Sequence, residues 1–359
     1  QAPLAWQAPL PRRAAATTDG ARLLRQLGRV LHERFAAASP RRRVPAAWGD
    51  RPRVQPKVAT GELALLFVRP TTGDNDAVGT AGMLETCVAL YAADGEMPEH
   101  AQLLFCRGAT SREEIDAFLH RAFNADACAL VRGRLFCALR LGALPEATYL
   151  YLKERVVRLY HATNPKRFRL ALLCEEAERH RVSTDLAAFE PRADVVPLGA
   201  AAMREALPAR RAVVVSSQRA GLGKTTRVRA LAAERGCRCL RSVTVSGLTS
   251  RAELVRELRA ALADGACDAL HVNVLDVPAS RAELVNEMLF ELLYLSMVGD
   301  AAASAASIVH VACAAVFVEI ANGVGAPLLR LLPVCGYCEQ EVLEWGANTS
   351  PPSFSLEPR

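Results

Sequence analysis

The stretch RAVVVSSQRAGLGKTTRVRALAAERG, Arg211 to Gly236, decides how this chain is read. An apolar, β-branched run leads into a glycine-bearing turn, and a helical pattern opens near Lys224. The phosphate-loop pattern is G-x-x-x-x-G-K-[ST]. Its backbone N–H groups wrap phosphate, its lysine reaches the outer phosphates, and the hydroxyl after the lysine binds Mg²⁺. Here Gly221, Gly223, Lys224 and Thr225 keep their places, but Gln218 stands where the first glycine belongs. A residue other than glycine costs about 1 kcal/mol if that position needs a positive φ. The lysine and the last glycines survive, and a strand–loop–helix context favours binding over a loop that holds nothing.

Hydrolysis asks for more. A carboxylate at the end of a neighbouring strand has to hold the cation, and a second one usually polarises the attacking water. Two apolar runs end in single acids, VNVLDV in Asp276 and AVFVEIAN in Glu319, the latter followed by Ile320 and Asn322. Asp276 also reads as a turn acid before Pro278. Glu319 is the stronger metal or sensor candidate, because its run is the more apolar. With no paired acids, slow hydrolysis or none is expected. Arg219 is placed to neutralise phosphate or pair with a neighbour, whereas Arg227 and Arg229 read as surface charges. His271 and His310 lie in strand patterns and read as core histidines with satisfied nitrogens.

Outward from the loop, short apolar runs alternate with helical patterns. Strands are expected at Gly61–Arg69, His100–Gly108, over GRLFCALRL, and at Arg167–Glu175. Helices are expected over Met83–Ala92, from Thr110 through FLHRAFN, over PEATYLYLKERVVRLY, and in a short segment after Glu175. Thr110 or Ser111 can cap the second of these, with Ile115, Phe118, Leu119 and Phe123 as its buried stripe. Beyond the loop, ALHVNVLDV reads as a strand, SRAELVNEMLFELLYLSMVG as a helix capped by Ser280, IVHVACAAVFVEI as one buried strand, and LLRLLPVCGY as a further strand. Such alternation argues for an α/β protein with parallel sheets covered by helices, in two successive units.

Composition sets limits on the rest. The chain has 359 residues, of which 51% are hydrophobic, enough for real cores, and its net charge is +6. It begins at Gln1, which points to a fragment or a processed chain. Arginines crowd the first 57 residues (Arg12, Arg13, Arg41, Arg42, Arg43, Arg51, Arg53), where one helix is expected over Ala21–Ala38. No stacking aromatics or base-reading motif accompany them, so nucleic acid is not the expected partner. The eleven cysteines, several in apolar runs (Cys106, Cys137, Cys174, Cys313), read as reduced buried thiols. Cys335 and Cys338 form a single C-x-x-C, half of what a zinc site needs. Residues 301–318 carry no charge. They read as a loop and a buried strand instead of a membrane span, because alanine and serine fill the first half.

SSQRAGLGKTT with its VVV run resembles a loop of the mysterin-type giant RING-finger E3 ubiquitin ligases. LALLFVR, CVALYAADGEMPEHAQLLFCRGATSREEIDAFLHRAF and GRLFCALRL resemble the degenerate module before that loop. ALHVNVLDVPASRAELVNEMLFELLYL resembles the segment after it. The resemblance covers about Gly61 to Tyr337. It implies two AAA+ α/β units within a six-module ring. Residues 58–200 would form a unit without a phosphate loop and 209–340 a nucleotide-binding unit, incomplete because a full helical lid is not found after Tyr337. Residues 1–57 would be a basic arm and 341–359 a disordered tail. It further implies ATP and Mg²⁺ as cofactors, held by Gln218, Arg219, Ala220, Gly221, Leu222, Gly223, Lys224, Thr225 and Thr226. Thr225 would be the metal ligand, with Glu319 and Asp276 as candidate catalytic acids. Neighbouring AAA+ modules would be partners. Ubiquitin transfer would belong to zinc-binding regions absent from this chain, in a cytoplasmic protein linked to lipid droplets.

Overall fold

The computed structural model describes residues 57–69, 79–124, 133–164, 166–189, 191, 198–206, 211–217, 221–263, 267–300, 307–321 and 328–343. The basic arm, its expected helix at 21–38, Gln218–Ala220, Asn322 and the chain beyond 343 lie outside them. Two parallel sheets carry the described chain. The first is ordered β1-β4-β3-β2, from β1 (Glu62–Val68), β2 (Leu103–Phe105), β3 (Phe136–Leu139) and β4 (Arg169–Glu175). The second is ordered β11-β5-β10-β7-β6, from β5 (Arg211–Ser217), β6 (Leu240–Ser246), β7 (Ala269–Leu275), β10 (Ala315–Ala321) and β11 (Glu339–Leu343). The α/β architecture expected from the alternation is the one found.

The strands of the first sheet are apolar between their ends because both faces are covered. Leu65, Phe67, Phe136 and Leu172 pack against α2 (Arg112–Phe123) and α3 (Glu146–Ala162), through Phe118, Leu119, Tyr149 and Leu152. Helix α2 starts where its capping signal says. Ser111 Oγ accepts from Glu114 N at 3.2 Å, and Ser111 N donates to Glu114 Oε2 at 2.8 Å. The opposite face, with Leu66, Phe105, Leu139 and Leu173, packs against α1 (Gly79–Ala92) and on into the second unit. Two short helices, α4 (Arg179–Asp185) and α5 (Ala200–Ala206), follow β4.

In the second unit, Val213, Val215, Ala269 and Phe317 pack under α6 (Lys224–Glu234). The other face of that sheet meets α7 (Arg251–Leu262) and α8 (Ala279–Phe290). Helix α8 lies between the two sheets, and its second half, from Val285 to Phe290, is buried all round. Phe290 meets Phe105 of the first unit edge to face at 6.2 Å and stacks on Tyr294 at 4.9 Å.

Several expectations need correcting. The second strand is shorter than expected, because His100–Gln102 form a 3₁₀ turn. The cap of α8 is Pro278, extended at φ −69° and ψ 152°, and Ser280 lies inside the helix. The helix continues as a π-helical stretch only to Leu295 and is ended by Ser296 at φ 58°. Met297–Asp300 is β8 instead, antiparallel to β9 (Ser307–His310). That pairing splits the single strand expected over IVHVACAAVFVEI. Val311 N donates to Ser296 O and Ala314 N to Asp268 O, which turns the chain between β9 and β10. LLRLLPVCGY forms two short helices, α9 (Leu328–Leu331) and α10 (Pro333–Gly336), because Pro333 opens a helical turn more readily than it joins a strand. Strands β6 and β11 have no counterpart among the expected elements, and β11 crosses the boundary placed at residue 340. None of the ten described cysteines forms a disulfide, and burial pushes Cys106 and Cys338 up to about 12.

An ionic network joins the units. Arg107, after β2, donates through Nε to Glu287 Oε2 at 2.7 Å and reaches Glu291 at 3.4 Å. Arg251, at the head of α7, donates through Nη1 to Glu291 Oε2 and to Gly299 O, at 2.8 and 2.7 Å, and its Nη2 also bonds Glu291. Burial raises Glu287, whereas on Glu291 the nearby arginines outweigh burial and hold it low. His100 Nε2 lies 3.8 Å from Glu291. Burial keeps His100 below its ordinary 6.5, against the pull of Glu291. A histidine depressed in the folded state contributes stability above its unfolded pKa and loses it as pH falls through the folded value. Melting temperature should therefore drop as pH is lowered from 7.5 to 5, and His100→Gln should flatten that slope. An identical slope in the variant would remove His100 as a source.

Candidate functional site

Strand β5 ends at Ser217 and α6 begins at Lys224, with the loop between them at the carboxyl edge of the sheet. Gly221 sits at φ 83° and Gly223 at φ 74°, left-handed values that strain any side-chain-bearing residue. Gly223 is also the N-cap of α6 and supplies no side-chain acceptor to the helix's first N–H groups. Those donors and the positive dipole end form a surface suited to an anion.

Lys224 is 8% exposed. Its Nζ donates to Ser217 Oγ at 3.1 Å, and among the described residues no carboxylate pairs with it. A buried ammonium without a counter-charge is costly, and an incoming anion relieves that cost. Thr225, one residue on, donates from Oγ1 to Glu319 Oε2 at 2.8 Å. Glu319 lies on β10, opposite Val215 of β5 and Asn273 of β7, on the face that packs under α6. It is 7% exposed. His271, two residues before Asn273, places Nε2 at 3.0 Å from the same Glu319 oxygen. Its Nδ1 lies 2.9 Å from Ser242 Oγ on β6. Burial holds His271 below its ordinary value, more than Glu319 raises it.

The structure brings Lys224, Thr225 and Glu319 together and leaves Asp276 apart. Asp276 is exposed at φ 43°, and its carbonyl accepts from Gly247 N at 3.2 Å, so it forms a turn before Pro278. Leu222 is half-buried, Thr226 is exposed, and Gln218, Arg219 and Ala220 lie outside the described residues. Arg227 is not a lone surface charge, since it pairs with Glu234 and with Glu341 of β11 and ties α6 to the sheet edge. His271 is buried, as its strand pattern implies, but the pattern gives no hint that two strands carry it to the loop's acid. The signal available was parity, since 269, 271 and 273 share one face of β7.

The donor set fits a nucleotide with Mg²⁺. An ammonium and a helix N-terminus suit phosphate, while a hydroxyl and a carboxylate are the hard oxygen donors that Mg²⁺ takes. The Thr225 hydrogen goes to Glu319, which leaves the hydroxyl lone pairs for a cation. Among the described residues no cluster of His, Cys, Asp and Glu forms a separate metal site, and no helix is long and apolar enough to cross a membrane. A cavity of about 360 Å³ lies elsewhere, between the units. Its arginines, Arg107, Arg121 and Arg251, face Glu113, Glu114, Glu291 and Asp300, so it presents no surplus positive charge to an anion.

Comparison with known proteins places the first unit. Residues 77–190 match a family described as the RNF213 AAA domain. The loop at 218–226 lies outside that span. Among solved structures, NtrX from Brucella abortus in complex with ADP is similar at 13% identity and a TM-score of 0.26. The likeness covers 78% of this chain and 66% of that one. No curated protein matches the chain.

Proposed function

We propose, for a chain whose residues 77–190 match the RNF213 AAA domain, that the second unit binds ATP with Mg²⁺ and uses it mainly as a structural ligand. The observation that carries this is Lys224, a buried ammonium without a described carboxylate partner at the head of a helix entered through two left-handed glycines. Lys224 would hold the outer phosphates, and the N–H groups of α6 the inner ones. Thr225 and Glu319 would hold the cation, which neutralises phosphate charge. Hydrolysis is slow or absent in this reading, because Glu319 is committed to the cation side and Asp276 forms a turn. No second carboxylate stands beside Glu319 among the described residues, where its strand neighbours are Val215 and Asn273. The first unit would act as a partner module without nucleotide, locked to the second through α8. In a longer RNF213-like protein, ubiquitin transfer would lie in regions outside this chain. A cytoplasmic, lipid-droplet-linked setting is part of the same proposal.

The test is ATP binding and turnover by the purified chain, with Mg²⁺. Micromolar binding with turnover below about one per minute is expected, far under the ordinary enzymatic range. Steady turnover typical of enzymes would instead favour an active NTPase. No binding at millimolar ATP would favour a scaffold with a vestigial loop.

A further inference from the structure

We propose that His271 is a positioning residue that holds Glu319 in place for the cation. The inference rests on the nucleotide reading above and deepens it. Glu319 Oε2 takes two donors, Thr225 Oγ1 at 2.8 Å and His271 Nε2 at 3.0 Å. An ionised carboxylate only accepts, so His271 Nε2 carries the hydrogen. In the neutral ring Nδ1 is then an acceptor, and Ser242 Oγ, at 2.9 Å, donates to it. The tautomer is thus fixed from β6, the ring from β7, and the carboxylate from β10.

This chain crosses three adjacent strands in register. His271 pairs with Ser242, and Asn273 with Glu319. Strands within one sheet move little against each other, so the chain gives Glu319 a rigid support that a surface acid lacks. With both donors on Oε2, Oε1 takes no hydrogen bond from the described residues. That oxygen is left to the cation or its waters. Asn273, the strand neighbour of Glu319, is neutral and cannot replace it as an anion. Outer partners of this kind typically change metal affinity by about 10- to 100-fold.

The experiment measures the Kd for ATP in Mg²⁺ and in EDTA, and takes the ratio. In wild type, Mg²⁺ should tighten binding. In His271→Leu the ratio should shrink about 10-fold toward that of Glu319→Gln, while the Kd in EDTA stays the same. His271→Gln, which offers an amide N–H in place of Nε2–H, should restore most of the ratio. Should the leucine variant fail to fold, Ser242→Ala, a change at an exposed position, should still shrink the ratio a few-fold. A wild-type ratio in both His271→Leu and Ser242→Ala overturns the positioning role and leaves nucleotide binding intact. Wild type that binds ATP equally with and without Mg²⁺ overturns that role as well. Failure of wild type to bind ATP at all overturns the nucleotide reading, and this inference with it.

Discussion

Lys224→Ala is expected to weaken ATP binding by about 30-fold or more, while the melting temperature of the nucleotide-free protein stays level or rises. The two halves come from one fact. Lys224 is buried, and its described partner is the neutral Ser217 hydroxyl. In the empty protein, removing a buried charge that has no carboxylate partner among the described residues takes away a cost and creates a small void. Removing it from the complex strips the phosphates of a desolvated counter-charge, a loss of the order of 2–5 kcal/mol. At about 1.4 kcal/mol per decade this is 30-fold or more. A mainly structural lysine gives the opposite pattern, a less stable protein with ATP affinity unchanged. The readouts are calorimetric or fluorescent titration with ATP, and melting with and without nucleotide. Wild type at 100 times its Kd should gain about 2.7 kcal/mol, and the variant should lose most of that gain at the same concentration.

The second large effect lies at the junction of the units. Glu291→Ala should cost about 3–5 kcal/mol, the usual penalty for orphaning a buried ion-pair partner. Glu291 is 1% exposed and accepts from Arg251 and Arg107. Arg251 has 10% of its side chain exposed, and after truncation its guanidinium would keep Gly299 O and, only at 3.9 Å, the Glu287 carboxylate. Glu283→Ala removes one partner of Arg140, also across the units, but Glu283 is 48% exposed and Arg140 keeps Glu175 at 3.9 Å, so the cost should stay within about 1 kcal/mol. The double change Glu291→Leu with Arg251→Met should be milder than Glu291→Ala alone, because Arg251 leaves with its partner and Glu287 keeps Arg107. Denaturant unfolding of the three variants checks the order. Equal losses for Glu283→Ala and Glu291→Ala would mean that burial is not what makes the network matter.

Much of this was legible from local pattern. Ser111 and Glu114 wrote the start of α2, and the apolar runs of β1, β4, β5 and β7 wrote their strands, since both sheet faces are buried. Other elements were hidden because their signals are weak or shared. Strand β6 is an edge strand with Ser242 and Thr244 exposed, so its run LRSVTVS lacks the apolar density of its neighbours. Strand β11 reads EQEVL and is a strand only because β5 has an open edge beside it. The long apolar helix pattern after Ser280 could not announce its end, because hydrophobic residues suit a π turn and a buried strand equally.

The loop divides in the same way. By itself the sequence determined that a glycine turn and a lysine follow a strand and open a helix, since that depends on neighbours along the chain. It also nominated two acids and ranked Glu319 ahead of Asp276, because its run is the more apolar. Only the tertiary structure shows which of them lies beside the loop. Strand order places β10 next to β5, and register sets Glu319 beside Val215 on the face under α6, within hydrogen-bond reach of Thr225. The left-handed φ of Asp276 turns β7 away into the approach to Pro278. A side chain's distance from a loop about 100 residues away is fixed by strand order and register, which are properties of the packed sheet and not of any one segment.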